Sequence, residues 1–271
     1  MQRNNMKKIS IQAMLSISLF FGIWTGLTRV DFVSIFNIHE ISDKSEEKLG
    51  ELFLKTFQIT EKENNDPFIV NSMDSIVSKI CLKNKIERKL IKIHIIEKDE
   101  INAFALPDGH LIIYSGLILN SDNQEQLSGV ICHEIAHITL KHVFKKLIKE
   151  VGISAIVSMT TGDAGSEAIK STVKTLSSTA FDRSLEKEAD IKAVDYLLNS
   201  KIDPKEFSTF LNKLSDKETE AIKYLTWAST HPDSKERATY IIEYKKGKTV
   251  IGEKILTETT WKKLIEKLDE E

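Results

Sequence analysis

His133-Glu134-Ile135-Ala136-His137 brings together residue types, at a spacing, that suit metal-assisted hydrolysis. Each residue of a helix advances about 100°, so the two histidines lie about 40° apart on one face and one turn apart, and both imidazoles reach a single ion. Glu134 points about 100° away from His133, where its carboxylate can hold and deprotonate a water molecule. Two neutral nitrogen ligands and a base are what zinc-assisted peptide hydrolysis requires. The pentapeptide arises by chance in about one chain of this length in a hundred. Its weight therefore depends on its surroundings and on a third ligand.

The surroundings are apolar. Beyond a loop at residues 120–123, with Ser121 or Asp122 as cap, the pattern predicts a long helix through about Lys149. Val130, Ile131, Ile135, Ala136 and Ile138 cover several of its faces, which marks a buried helix. Two adjacent buried histidines need polar partners, and a metal ion satisfies both. His142 lies five residues after His137, about 140° round a continuous helix, and is not expected at the same ion. The extended motif with a third histidine six residues after the second fails as well, since that place is Val143 and Leu140 replaces the glycine.

A third ligand is found in Arg183-Ser184-Leu185-Glu186-Lys187-Glu188-Ala189-Asp190, which opens a helix running to Asn199. Glu186 and Asp190 are four apart and share a face, and Ala189, Ala193, Val194 and Leu197 imply that this face is at least partly buried. Two acids there repel unless a positive charge lies opposite, and a Zn2+ held by His133 and His137 supplies it. Glu186 as third ligand, with Asp190 fixing a ligand histidine from behind, completes a His2Glu set with one open position. The alternative is a surface charge cluster, to which Glu188 is assigned.

The elements that position these residues follow from periodicity. Residues 42–62 read as an amphipathic helix with Leu49, Leu52, Phe53 and Phe57 inward. Asp66-Pro67 opens a second helix, buried through Ile69, Val70, Met73, Ile76, Val77 and Ile80. Residues 91–96 read as a strand with His94 exposed on its polar face. Two short apolar runs flank Pro107-Asp108-Gly109, which predicts a β-hairpin. Asn102, Ala103, Phe104 and Ala105 then form either an ordinary hairpin strand or an edge to which an extended peptide adds main chain to main chain; periodicity does not choose. Residues 151–159 are apolar but too short to span a bilayer, and suit a lid, a membrane-touching loop or a buried turn. A Ser/Thr-rich helix is expected over 164–180 and a charged amphipathic helix over 253–271, and no 34-residue helical repeat follows.

The chain has 271 residues, enough for one catalytic domain with terminal extensions. Lysine and arginine total 38 against 40 acids, interleaved and without an Arg-aromatic tract, which argues against a nucleic-acid partner. Residues 9–28 carry no charge and follow Arg3, Lys7 and Lys8. They predict an anchor with the N-terminus in the cytoplasm and the remainder outside it; a cleaved signal peptide is the alternative. Cys81 and Cys132 read as buried thiols, with a disulfide possible in an oxidising compartment but not required.

Taken jointly, Asn102-Ala103-Phe104-Ala105 with Gly109 and Gly116, HEIAH, Arg183-x-x-Glu186-x-x-Ala189-Asp190, and Thr230-His231-Pro232 followed by Arg237 resemble the HtpX and CAAX prenyl protease family of zinc metallopeptidases. The resemblance covers about residues 40–245 and looks closest to small periplasmic or mitochondrial-type members. It implies that His133, His137 and Glu186 bind one zinc per chain, that Glu134 is the general base, and that the edge at Asn102 to Ala105 supports extended peptide. It implies too that His231 lies near the zinc, as a catalytic group stabilising the oxyanion or as an occupant of the open position in a latent state, with Arg237 close by. Asp108 departs from a common glycine, and the four spans of larger members are missing, which argues against cleavage within the bilayer.

The expectation is an α+β fold, mostly helical, with a small antiparallel sheet beside the active-site helix. Its parts are an anchor or signal segment (1–30), a metallopeptidase domain (31–250) and a C-terminal helix (251–271). Its expected activity is zinc-dependent endopeptidase cleavage of extended or misfolded envelope proteins, from the inner membrane facing the periplasm. A latent zinc-containing, chaperone-like binding module and a non-catalytic envelope scaffold are the alternatives.

Overall fold

The computed structural model describes residues 12, 14, 16–18, 22, 38–217, 226–248, 250 and 252–270. Most of the expected anchor, residues 9–28, lies outside the described residues; among the described residues no helix is long and apolar enough to cross a membrane. The chain divides into two compact units, Met1–Lys44 and Ser45–Glu271, and the second holds every element that bears on the site.

Helix α1 (Ile38–Gln58) buries Leu49, Phe53 and Phe57, and α2 (Pro67–Lys83) buries Ile69, Met73, Ile76, Val77 and Ile80. Asp66 caps α2 as its sequence predicts, its Oδ1 accepting from the backbone N–H groups of Phe68 and Ile69 at 2.9 and 3.1 Å. Val70, expected on the buried face, is 38% exposed.

Three strands follow: β1 (Lys92–Ile96), β2 (Ala103–Ala105) and β3 (His110–Tyr114), in the order β1-β3-β2. The expected hairpin is the β2–β3 pair, antiparallel with Ala103 opposite Ile113 and Ala105 opposite Leu111. Its turn puts Asp108 at φ 61° and Gly109 at φ 70°, and a Cβ on Gly109 would fall 1.9 Å from the Leu90 carbonyl oxygen. Strand β1 joins parallel to β3, so the sheet is mixed.

His94 is not the exposed side chain that alternation suggests. Segment 62–64 covers the outer edge of β1, with the Asn64 N–H bonded to the Ile95 carbonyl at 2.7 Å. Glu63 thereby reaches His94 Nδ1 at 2.8 Å, and His94 Nε2 lies 2.9 Å from His110 Nδ1. Burial, with the charges of His94 and Lys92, pushes His110 down to about 4.

The expected long helix is two. Helix α4 (Gln124–Thr139) follows α3 (Ser115–Leu119) and is capped by Asn123, whose Oδ1 accepts from the Gln126 N–H at 2.8 Å. It ends where Lys141 takes a left-handed conformation, φ 58°, and α5 (His142–Val151) begins in a new direction. No Gly or Pro marks that break; a Glu46–Lys141 ion pair holds it.

Every α4 residue from Gln126 to His137 is buried. Around it pack β2, α8 (Arg183–Asn199) and α9 (Pro204–Lys217). Gly129 permits the α9 contact, since a Cβ there would lie 2.5 Å from Phe207 Cβ. Helices α6 (Ile153–Thr161) and α7 (Ser166–Ser178) form the excursion between α5 and α8; α6 buries Ile156 and Met159 and exposes Ile153 and Val157. After α10 (Thr226–Thr230) and α11 (Ser234–Lys245), α12 (Glu258–Asp269) buries Leu264 and Leu268 against α2 and α3, within the same core.

Candidate metal centre

Helix α4 supplies His133 and His137, α8 supplies Glu186, and the turn after α10 supplies His231; one donor atom from each lies within 4.8 Å of the others. His137 Nε2 is 2.9 Å from His133 Nε2 and 3.3 Å from Glu186 Oε1. His231 Nδ1 is 3.2 Å from His133 Nε2 and 2.9 Å from Glu186 Oε1. Zinc bonds of about 2.0–2.1 Å in a tetrahedron set ligand atoms about 3.3 Å apart, so these donors fit one such ion. The local charge fits as well: three buried acids, Glu134, Glu186 and Asp190, stand against two buried cations, Arg237 on Glu186 and Asp190 and Lys146 near Glu134 and Glu186, which leaves an excess of negative charge for a dication to balance. Among the described residues the buried Glu134 Oε2, Glu186 Oε2 and His231 Nε2 have no hydrogen-bond partner.

Behind the donors, Asp190 and Arg237 orient them. His133 Nδ1 donates to Asp190 Oδ1 at 2.8 Å, which fixes the tautomer and turns the Nε2 lone pair to the centre. Arg237 grips the same carboxylate with both edges of its fork, Nε to Oδ2 at 2.8 Å and Nη2 to Oδ1 at 2.7 Å, and Tyr240 donates to Oδ2. Its Nη1 donates to the His231 carbonyl at 2.9 Å and stands 2.8 Å from Glu186 Oε2 without hydrogen-bond alignment. Burial pushes both carboxyls up, but His231, Arg237 and His133 hold Glu186 well below the usual range, and Arg237 and His133 do the same for Asp190. Burial and the neighbouring His133 push His137 down, favouring the neutral ring a metal needs.

The far face of His137 has its own supports. Because the helix breaks at Lys141, His142 turns back and its Nδ1 lies 3.1 Å from His137 Nδ1; its Nε2 is 3.3 Å from Glu188, whose side chain is 54% exposed. Phe181 stacks on His137 at 4.0 Å between centroids and on His231 at 5.7 Å. Lys146 Nζ sits 4.2 Å over the Phe181 ring and donates to the Leu176 carbonyl at 2.9 Å, and burial brings it down to about 8.

Glu134 lies beside the donors and outside their ring. Its Oε1 accepts from the Trp227 indole N–H at 3.0 Å and stands 3.4 Å from His231 Nε2. Asn102, Ala103, Phe104 and Ala105 run along the sheet edge against α4, each at most 5% exposed. Phe104 packs edge-on to Phe57 and Tyr114, and the strand is buried in main chain and side chain alike.

The structure brings His133, Glu134, His137, Glu186, Asp190, His231 and Arg237 together and places Ala103 to Ala105 on a strand packed against α4, and it adds Trp227, Tyr240 and Phe181, which the sequence does not nominate. Trp227 carried a signal, standing four residues before His231 on a helical turn. His142 is, as its spacing implies, not among the four convergent donors, although the helix break brings it against the far nitrogen of His137. Phe181 and Tyr240 carried none.

The profile of Peptidase family M48 matches residues 70–245. The chain is 28% identical over 204 residues to the beta-barrel assembly-enhancing protease of Escherichia coli (strain K12), covering 71% of this chain and 42% of that protein. It is 28% identical over 155 residues to the mitochondrial metalloendopeptidase OMA1 of Schizosaccharomyces pombe (56% and 46%) and 28% identical over 168 residues to the metalloprotease LoiP of Escherichia coli (59% and 65%). The match thus spans less than half the length of the first of these relatives.

Proposed function

Because the chain belongs to peptidase family M48, we propose that it is a zinc-dependent metalloendopeptidase acting on extended or misfolded envelope proteins. The observation that carries this reading is the buried His133-His137-Glu186-His231 cluster with the carboxylate of Glu134 beside it. Zinc, when bound, supplies Lewis-acid polarisation of carbonyl and water. His133, His137 and Glu186 hold it. Asp190 and Arg237 keep His133 and Glu186 in position, and Glu134 takes the proton from the attacking water. The main chain of Asn102 to Ala105 receives the peptide as an added strand. Residues 9–28 anchor the chain in the inner membrane, with residues 31–250 as the catalytic domain outside the cytoplasm; the uncharged run after Arg3, Lys7 and Lys8 supports this, and a relative named for β-barrel assembly supports an envelope substrate. The full chain is expected to degrade casein, to stop when a chelator removes zinc, and to resume when zinc returns. Turnover indifferent to chelation would refute the assignment.

One observation favours a second, compatible reading. His231 Nδ1, at 2.9 and 3.2 Å from two other donors, stands as a fourth donor in the position a catalytic zinc keeps open. This describes a latent site that His231 closes. His231→Ala is therefore expected to raise casein turnover about tenfold or more. A fall with zinc retained would instead assign His231 to oxyanion stabilisation.

A further inference from the structure

We propose that Trp227 is the positioning residue for the base: its indole N–H holds Oε1 of Glu134, so that Oε2 is the oxygen that takes the water's proton. The proposal rests on the hydrolytic reading above and adds to it which atom works and what sets it.

A glutamate carboxylate turns about a broad, roughly two-fold terminal torsion, so by itself either oxygen could face the water. Here the two are unlike. Oε1 accepts from Trp227 Nε1 at 3.0 Å and has His231 Nε2 at 3.4 Å, while Oε2, equally buried, has no hydrogen-bond partner among the described residues. An indole N–H donates only. The indole hydrogen bond stabilises negative charge on Oε1 and occupies one of its two lone-pair sites, whereas both sites of Oε2 are free, so Oε2 is the oxygen that takes the proton. In a dry site a hydrogen bond to a charged acceptor is about twice as strong as a neutral one.

The indole is itself held fast. Trp227 is fully buried, stacks on His231 at 4.7 Å between centroids, meets His133 edge-on at 5.6 Å and carries the Arg237 guanidinium 4.9 Å from its ring centre. Its backbone N–H donates to the Ile101 carbonyl at 3.1 Å, next to the strand assigned to the peptide. One residue therefore ties the base to both the metal ligands and the substrate edge. As the water oxygen bonds the scissile carbonyl carbon, one water O–H bond breaks and its proton passes to Oε2. From Oε2 the proton goes to the amide nitrogen as the C–N bond breaks, which restores the carboxylate.

Trp227→Phe keeps an aromatic ring and removes the donor. In the full chain, and again in the His231→Ala background, it is expected to lower kcat about 10- to 100-fold, or about 1.4–2.7 kcal/mol at tenfold per 1.36 kcal/mol. KM should stay within about twofold and bound zinc should not change. An unchanged kcat, or a loss of activity that tracks a loss of zinc, would overturn the proposal. A second measurement leaves the tryptophan in place. The indole 1H–15N resonance that vanishes in Trp227→Phe should move upfield in Glu134→Ala, and an unmoved resonance would also overturn it. If the wild type and His231→Ala both fail to cleave casein, the hydrolytic reading fails, and this resonance still decides the contact between Trp227 and Glu134.

Discussion

Replacing Glu134 by Gln is expected to lower casein turnover by about 10²–10⁴-fold, the range for losing a general base, while bound zinc stays at the wild-type level. The two halves of this expectation come from different parts of the geometry. Glu134 is not one of the four convergent donors, so an amide there leaves His133, His137, Glu186 and His231 in place. Its carbonyl oxygen can still accept from Trp227, so the turn of α4 between the two histidines has no cause to move. What Gln lacks is a basic oxygen, and with it a destination for the water's proton. Undiminished turnover in a zinc-replete preparation would remove Glu134 from the chemistry.

Asp190→Ala should be the most damaging change outside the donor set. Asp190 is fully buried and gathers two bonds from Arg237, one from His133 Nδ1 and one from Tyr240. Without it the buried Arg237 loses its bidentate partner and keeps Glu186, the His231 carbonyl and the Trp227 ring. Breaking a buried pair on one side costs about 3–5 kcal/mol, and at about 2–4 °C per kcal/mol for a domain this size the melting temperature should fall by about 6–20 °C. Zinc affinity should drop about 10- to 100-fold, since His133 loses the partner that turns its Nε2 inward. The pH dependence has a definite sign. Arg237 and His133 hold the Asp190 carboxyl below its usual range despite burial, so its contribution is complete above the unfolded value of about 3.9 and is lost as pH falls through the lower folded value. The stability gap between wild type and Asp190→Asn, measured by denaturant titration, should thus be constant above about pH 5 and narrow below it. A gap that widens in acid would contradict this electrostatic account.

The parts of the site that could be read from the chain are those written in local spacing. His133 with His137, and Glu186 with Asp190, are pairs four apart on helices whose apolar neighbours also reveal burial. Asp66-Pro67 and Pro107-Asp108-Gly109 are local too, and the helix start and the hairpin fall where those residues indicate. The parts that could not be read depend on distant partners or on a conformation without a sequence marker. Trp227 meets Glu134 across 93 residues and Tyr240 meets Asp190 across 50. Nothing about Lys141 announces a left-handed residue, yet that residue splits the helix and swings His142 against His137. Alternation within a strand predicts an exposed His94 because it is blind to a segment, 62–64, that folds over the strand's edge. The parallel placement of β1 beside β3 is likewise a long-range choice.

The central claim is that His133, His137 and Glu186 hold one zinc ion with His231 beside it, and the most direct test is metal analysis combined with X-ray absorption on the full chain. The account predicts one zinc per chain with nitrogen and oxygen neighbours only, lost when Glu186 is replaced by Ala. Failure to bind stoichiometric zinc, or a sulfur neighbour at about 2.3 Å, which would bring a cysteine such as Cys132 into the site, would contradict it.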